Sequence, residues 1–383
     1  MTGAQIIVLA TPVFLLLIAL EFAVGLARGR NTYRLADTLT SIGLGVMSQV
    51  TGVFGRLLRI GIYVLLFEQV ALLKLPVDSP WVWLGALLAY DLCYYWHHRA
   101  AHRVAVFWAA HVVHHQSEDY NLGTALRQTS SGFLLGWVFY LPLALAGVPP
   151  VVFATVALID LLYQFWVHTQ QVGRLGWFDR WFVSPSNHRV HHAVNGRYLD
   201  RNYGGILVVW DRLFGSFAEE DDAEPIVYGT RAPLRRWCPL AANLDVYRDL
   251  WADSRRTRRW ADKLRLWFMP PGWRPADVAA QFPRPAFDIA QVRRFETAVP
   301  RRVQGLAAGL FLLVLGATSG FLWFAHAMPA PQRAAGAVAL VCALWLIGRL
   351  LERGADAQAA GAAVLVADGT APDAPSAAGR ASR

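Results

Sequence analysis

The sequence predicts an all-α, polytopic integral membrane protein. Three observations predict it. Of 383 residues 55% are hydrophobic and only 16% charged, whereas soluble domains run nearer a quarter charged. Apolar runs long enough for helical spans recur along the chain. Histidine clusters at helical spacing sit beside the ends of those runs. The 16 Trp and 20 Phe suit membrane interfaces. The net charge of +9 comes from arginines that flank the apolar stretches. They read as orientation signals and contacts to anionic lipid headgroups, so no nucleic acid partner is expected. Cys93, Cys238 and Cys342 form no CxxC pair and no zinc-ribbon pattern.

In chain order, residues 1–80 are expected to hold N-terminal transmembrane helices. The run 5–26 can span a bilayer core, and Arg28, Arg30 and Arg34 come after it as a basic stop. The run 38–73 gives one span with an amphipathic approach, and 76–80 a turn. Residues 81–217 form the expected catalytic core. There 81–96 begins a third span that runs into the first histidines, and 133–168 reads as a helical hairpin broken at 147–150. Residues 218–302 form a basic cytoplasmic or interfacial region, in which 249–268 reads as an amphipathic surface helix with Leu250, Trp251, Trp260, Leu264 and Trp267 on one face. Residues 303–353 hold two C-terminal spans, 303–326 and 334–351. The Ala-, Gly-, Pro- and Ser-rich tail 354–383 is expected to be disordered. If the histidine clusters are cytoplasmic, the arginines of 28–34, 99–103, 174–197, 254–302 and 349–353 all lie inside. Only Lys74, the 147–150 turn and Arg333 remain outside, as the positive-inside rule asks.

The clusters carry the chemistry. His98 and His102 stand four apart; His111, His114 and His115 stand at i, i+3 and i+4; His188, His191 and His192 repeat that spacing. Each set lies on one helical face. His168 ends the hairpin's second arm and can point to the same region. A helix from 80 to 103 would be roughly 36 Å long, longer than the hydrocarbon core, so the clusters should meet in a helical cap beyond the lipid. Nine imidazoles exceed the need of one metal, so two ions sharing the set is the economical reading. H-E-x-x-H and C-x-x-C-H are absent. A dinuclear iron centre explains the set best, because it can use O₂ to attack an unactivated C–H bond in a bilayer lipid. A divalent-metal transporter would place its histidines mid-membrane, and a b-type cytochrome would need two facing histidines within the bundle. Both are kept as rivals. His326, at the far end of a C-terminal span, is not expected to be a ligand.

The three boxes H-x3-H, H-x2-HH and H-x2-HH, in that order with apolar hairpins between them, resemble the fatty acid hydroxylase/sterol desaturase superfamily of membrane di-iron enzymes. The wider text "YYWHHRAAH" (94–102), "WAAHVVHHQSEDYNLGTALRQ" (108–128), "YQFWVHTQQVGRLGWFD" (163–179) and "SPSNHRVHHAVNGRYLDRNYGGILVVWDRLFGSF" (184–217) is similar to its alkylglycerol monooxygenase branch and bacterial relatives. The resemblance implies that His98 and His102, then His111, His114 and His115, then His188, His191 and His192 are box ligands, with His168 the additional histidine. His97 matches a variable position, and Gln164 stands where some members carry another histidine. Glu118 resembles an acidic residue needed for ether cleavage, and Asn121 shares its motif. Asp91, Asp160, Asp200 and Asp211 are candidate partners of the ligand imidazoles, with a structural cap an equal reading for Asp211. Arg189, flanked by ligands, pairs with an acidic group or holds a headgroup or reductant. Tyr203 with the glycines after it reads as a turn. The chain has no cofactor motif of its own, so the two electrons come from outside, from tetrahydrobiopterin or an NAD(P)H-linked electron-carrier protein. The expected reaction is hydroxylation of an alkyl ether lipid with release of a fatty aldehyde. The alternative is hydroxylation or desaturation of a sterol-like, carotenoid or fatty acyl lipid. A bacterial inner membrane with cytoplasmic boxes is the expected location.

Overall fold

A computed structural model describes the backbone of residues 3–367 and the side chains of all of these but 56–59 and 354–367. The described residues are helical, with no strand and two isolated bridges, Phe182 to Leu207 and Ala193 to Tyr228. Helices α1 (Gly3–Ala27) and α2 (Leu35–Val70) lead into α3 (Pro80–Arg103) and α4 (Ala105–His115), followed by the single turn α5 (Leu122–Ala125). After two 3-10 turns come α6 (Leu141–Leu145) and α7 (Pro150–Trp166), then the short α8 (Phe178–Trp181), α9 (Pro185–His191) and α10 (Val209–Leu213). The chain closes with α11 (Pro239–Arg256), α12 (Trp260–Arg265), α13 (Ala276–Gln281), α14 (Arg301–Phe324) and α15 (Ala330–Ala367).

Three helices are long and apolar enough to cross a membrane: α1, α14 and the 330–353 part of α15. The two arms of α2, bent by 42°, pass the same test together. Leu9, Val13, Leu16 and Leu20 of α1 stand exposed, as lipid-facing side chains do. The expected N- and C-terminal spans are not separate layers. Ile42, Met47 and Val50 of α2 share one core with Phe311 and Val314 of α14 and Leu344 and Ile347 of α15. A second core joins Tyr63 of α2 to Ala86 and Tyr90 of α3, Leu143 of α6 and Val152 and Val156 of α7. The ends of α3 and α4, the short α9 and the adjoining loops hold the histidines.

Four elements differ from expectation. α3 is not among the helices apolar enough to cross, since Asp91, His97, His98 and Arg99 interrupt it. The first arm of the 133–168 hairpin is not one helix but 3-10 turns at Gly132–Leu134 and Gly136–Tyr140 before the five-residue α6. Gly136 is pressed against α3, where a Cβ would stand 2.8 Å from His97 Nε2, so this stretch follows its neighbour instead of a regular helix. Gly147 turns the hairpin at φ +85°, with the backbone of Leu73 too close for any side chain. Residues 249–268 are split between α11 and α12, because Thr257 turns away to hydrogen-bond Asp277. Trp251, Trp260 and Leu264 are exposed while Leu266 is buried. The tail expected from 354 begins as a continuation of α15 to Ala367, and 368–383 lie outside the described residues.

Candidate metal centre

The path of the chain brings the boxes together. α3 carries His98 and His102 to its last turns, and the extended Val104 (φ −129°, ψ 122°) folds α4 back beside it. The first N–H groups of α4 have no side-chain cap. Ala105 and Val106 donate instead to the carbonyls of Met269 and Trp267, at 2.9 and 2.8 Å, which satisfies orphan donors of the helix start. α9 begins at Ser184, whose hydroxyl accepts from Asn187 N, with Pro185 at the first helical position. His188 and His191 lie on α9, and His192 ends it.

The nine histidines fall into two groups, each with its ligand nitrogens within 4.8 Å of one another: His98, His102, His111, His115 and His191, and His114, His168, His188 and His192. Helix geometry explains the division. At 100° per residue, positions i and i+4 differ by about 40°, while i+3 turns about 60° the other way. In α4 the i, i+4 pair His111 and His115 enters the first group and His114 the second. In α9 the pair His188 and His192 enters the second group and His191 the first. The two boxes therefore interlock the groups.

Five of the nine rings are oriented by their far nitrogen. Nδ1 of His98 donates to Tyr203 O (2.8 Å), that of His191 to Arg201 O (2.9 Å), that of His114 to Arg127 O (3.0 Å) and that of His168 to Gln164 O (2.8 Å). Nδ1 of His102 lies 3.6 Å from Asp200 Oδ1. This fixes the tautomer and turns Nε2 inward. Nε2 atoms meet at 3.0 Å between His98 and His111 and at 3.1 Å between His114 and His168. His114 and His168 both spend their ring hydrogen on a carbonyl, so their facing nitrogens are two lone pairs, which repel. Protonation does not relieve them. Burial first, and neighbouring imidazoles second, hold His111, His115, His168, His188 and His192 well below the usual range. Burial lowers His114 to about 4 and His191 to about 3. His102 Nε2 and His191 Nε2 have no hydrogen-bond partner at all. Buried, neutral, inward-facing imidazoles of this kind fit metal cations. Two nitrogens bound at about 2.1 Å and at right angles stand about 3.0 Å apart.

The other expected site residues surround the groups. Asp200 and Asn202 adopt left-handed backbone, φ 58° and 55°, which Asp and Asn tolerate. That turn lets the single stretch 200–203 address three rings of the first group. Asp211 holds the same turn, accepting from Tyr203 N, Gly204 N and Ser216 Oγ at 2.7–2.8 Å. Asp91 accepts from Ile206 N, Leu207 N and Trp210 Nε1, so it holds the following turn and touches no ligand ring. Gln164 donates to Asp160 and accepts from Tyr94 OH; its backbone carbonyl, not its amide, reaches His168. Arg189 forms a two-pronged ion pair with Glu220 (2.9 and 2.7 Å) and donates to Thr169 O and Val172 O. Glu118 accepts from Phe295 N at 2.5 Å and lies 4.0 Å from Arg34, and Asn121 caps α5 and donates to Thr32 O. Neither joins a histidine group. Tyr120 between them does reach the second group, 5.6 Å from the ring of His168 and 5.1 Å from that of His192. His97 is outside both groups and faces Tyr140 OH at 3.3 Å. His326 is exposed and in neither group.

Sequence reasoning missed Glu21. This buried carboxylate of α1 accepts from Leu122 N at 2.8 Å, from Tyr33 OH and from Thr169 Oγ1, beside His168. The signal was present, since Glu21 is the one acidic residue in the apolar run 5–26, and an ionisable group in a span is rarely idle.

A cavity of about 330 Å³ opens beside the first group, against His98 and His111. Apolar and aromatic side chains dominate its walls, among them Val106, Phe107, Leu134 and Leu135.

Residues 83–216, which contain all nine histidines, match the sequence profile of the fatty acid hydroxylase family. The chain is 42% identical over 267 residues to the alkylglycerol monooxygenase of Homo sapiens, covering 70% of this chain and 59% of that one. The alkylglycerol monooxygenase of Danio rerio is 40% identical over the same share. The ornithine lipid hydroxylase OlsE of Rhizobium tropici is 31% identical over 138 residues, 35% of this chain and 40% of that one. The match thus spans about three fifths of the length of the alkylglycerol monooxygenases. No solved structure matches the chain. Residues 83–216 therefore carry a fatty acid hydroxylase domain.

Proposed function

We propose that this protein is a non-haem di-iron, O₂-dependent monooxygenase of membrane lipids, which hydroxylates an alkyl ether lipid and releases a fatty aldehyde. The observation that carries this reading is the pair of buried, neutral histidine groups with an apolar cavity against one of them. The alkylglycerol monooxygenases among its relatives support the ether-lipid substrate. The first group would hold one iron and the second the other; when bound, the pair supplies activation of O₂. The chain's residues do the rest. The cavity walls exclude water and lay the alkyl chain beside His98 and His111. Burial keeps the rings neutral, and the Nδ1 partners of His98, His102, His114, His168 and His191 point those rings inward. Tyr120, stacked on Tyr228 and donating its hydroxyl to Val167 O, backs the second group. One oxygen atom is inserted into a C–H bond of the carbon next to the ether oxygen. The other leaves as water, with two electrons and two protons from an external donor, tetrahydrobiopterin or an NAD(P)H-linked carrier protein. The resulting hemiacetal collapses to aldehyde and free alcohol. We further place the histidine-bearing end at the cytoplasmic face of a bacterial inner membrane, on the distribution of arginines.

Membranes from cells making this chain, given an alkylglycerol and reduced pterin, are compared by lipid mass spectrometry with membranes carrying the His188→Ala/His191→Ala variant. Loss of ether lipid with aldehyde release in the intact protein alone is expected. A lipid that gains one oxygen or loses two hydrogens without aldehyde would overturn ether cleavage and keep the wider oxidoreductase reading.

A further inference from the structure

The far wall of the cavity carries Thr129, Ser131 and Tyr247. Their hydroxyls form a chain: Ser131 Oγ lies 2.9 Å from Tyr247 OH and 3.3 Å from Thr129 Oγ1, and Ser131 N donates to Thr129 Oγ1 at 3.2 Å. The chain is held from outside by α11, where Asn243 Oδ1 accepts from Ser130 N at 2.8 Å. None of the residues that line this cavity is Lys, Arg, Asp or Glu.

We propose that these three hydroxyls read the head of the lipid, and that they select a neutral head bearing hydroxyl groups, such as a glyceryl ether, over a free carboxylate. This rests on the lipid-oxidising reading of the same site. The chemistry is a count of donors and acceptors. Three hydroxyls bring three O–H donors, and each oxygen also accepts. The two internal hydrogen bonds use two donors, leaving one donor and several lone pairs. A diol, which both donates and accepts, satisfies that remainder. A carboxylate only accepts, and no Lys or Arg lines the cavity to pair with it beside these hydroxyls, so seating it there carries a large desolvation cost. The apolar part of the ligand has its own route. Leu134 and Leu135 line the cavity yet are 52% and 42% exposed, on a 3-10 stretch where regular helix was expected. Irregular backbone beside lipid is tolerated where it borders a cavity, so the alkyl chain leaves toward the bilayer between these leucines. Tyr247 lies on α11, outside the matched segment 83–216. The head is thus read jointly, by Thr129 and Ser131 within that segment and Tyr247 beyond it.

The test is competition binding to the full-length protein in nanodiscs, with metal content measured alongside. The ligands are hexadecyl glyceryl ether, hexadecyl methyl ether and palmitic acid. The glyceryl ether is expected to bind at least about 10-fold more tightly than either competitor, and Tyr247→Phe to cut that preference by about 3- to 10-fold, the range of one or two neutral hydrogen bonds. Affinity for the methyl ether should stay the same. If Tyr247→Phe melts early, Ser131→Ala carries the same expectation. Leu135→Trp, which fills the cavity, should weaken all three ligands together. Palmitate bound as tightly as the glyceryl ether, or a diol preference untouched by Tyr247→Phe and Ser131→Ala, would overturn the proposal. Because binding is read without turnover, a Tyr247-dependent diol preference in a protein that cleaves no ether would sink the reaction and keep the head-reading site.

Discussion

The two histidine groups are built alike and supported differently. The first, with five rings, has three of them oriented by one stretch, 200–203, and borders the cavity. Its outermost support, the Asp200 side chain, is 27% exposed. The second, with four rings, is braced from inside: by the carbonyls of Arg127 and Gln164, by Tyr120, and through Thr169 by Glu21 of the first span. One group is open to a ligand and close to water. The other is walled in by the membrane helices. Similar sets of rings can thus have different duties when their supports differ: in the proposed function, substrate contact falls to the first group and anchoring of the core to the second.

The sharpest test of this contrast removes one ring from each group. His191→Ala and His188→Ala should each lower turnover by more than about 100-fold, a loss beyond that of outer partners. Each should also leave about one iron per chain, measured by plasma emission. Loss of both irons from either variant would mean that the groups do not bind separately. Next in size is Asp200→Asn, which keeps the left-handed turn but removes the charge facing His102. Iron retention against a chelator should fall about 10-fold, and only for the more labile of the two ions. Equal weakening of both ions would break the assignment of 200–203 to one group.

Glu21→Ala should act on the other side. It strands Leu122 N, Thr169 Oγ1 and Tyr33 OH, at a cost of about 1–3 kcal/mol, seen as a lower Tm with faster loss of the less exchangeable iron. The smallest effect is Glu220→Gln. Burial pushes the Glu220 carboxyl up, but its hydrogen bonds and charge pairing with Arg189 outweigh that and hold it below 4.5. A lowered carboxyl stabilises the fold above its ordinary value, and that contribution is lost as pH falls through the lowered one. The variant should therefore melt lower than the parent at pH 7, by about 1–2 kcal/mol, and converge with it as pH falls through the lowered carboxyl range. A gap that stays constant across an acid titration would assign the effect to packing instead of charge.

Much of this was legible in the sequence. Histidine spacing is a local property of a helix, so nine rings gathered in two sets could be read before any fold was known. How they divide could not, because it depends on how α4 and α9 face one another. The supports were mostly hidden for a different reason. The partners of His98, His114, His168 and His191 are backbone carbonyls, and a carbonyl has no residue-type signature. Asp91 and Asp160 stand out in the sequence as acids in apolar runs, and both are buried, but Asp91 holds a turn and touches no ligand ring. The first arm of the hairpin misled because its apolar composition suits a helix, while the close approach of Gly136 to His97 is tertiary. The 249–268 helix misled likewise, its break at Thr257 being set by Asp277 from a distant segment.

The interlocking of the two boxes also governs where the chain can change length. One residue inserted between His111 and His115, or between His188 and His192, would rotate the downstream part of that helix by about 100° and take rings from both groups at once. The same insertion in the loop between α7 and α9, or in the stretch leading to α11, leaves every ring in phase. Tolerance of single-residue insertions should therefore drop sharply in two windows of five residues and stay high between them, a pattern that an insertion scan would read directly.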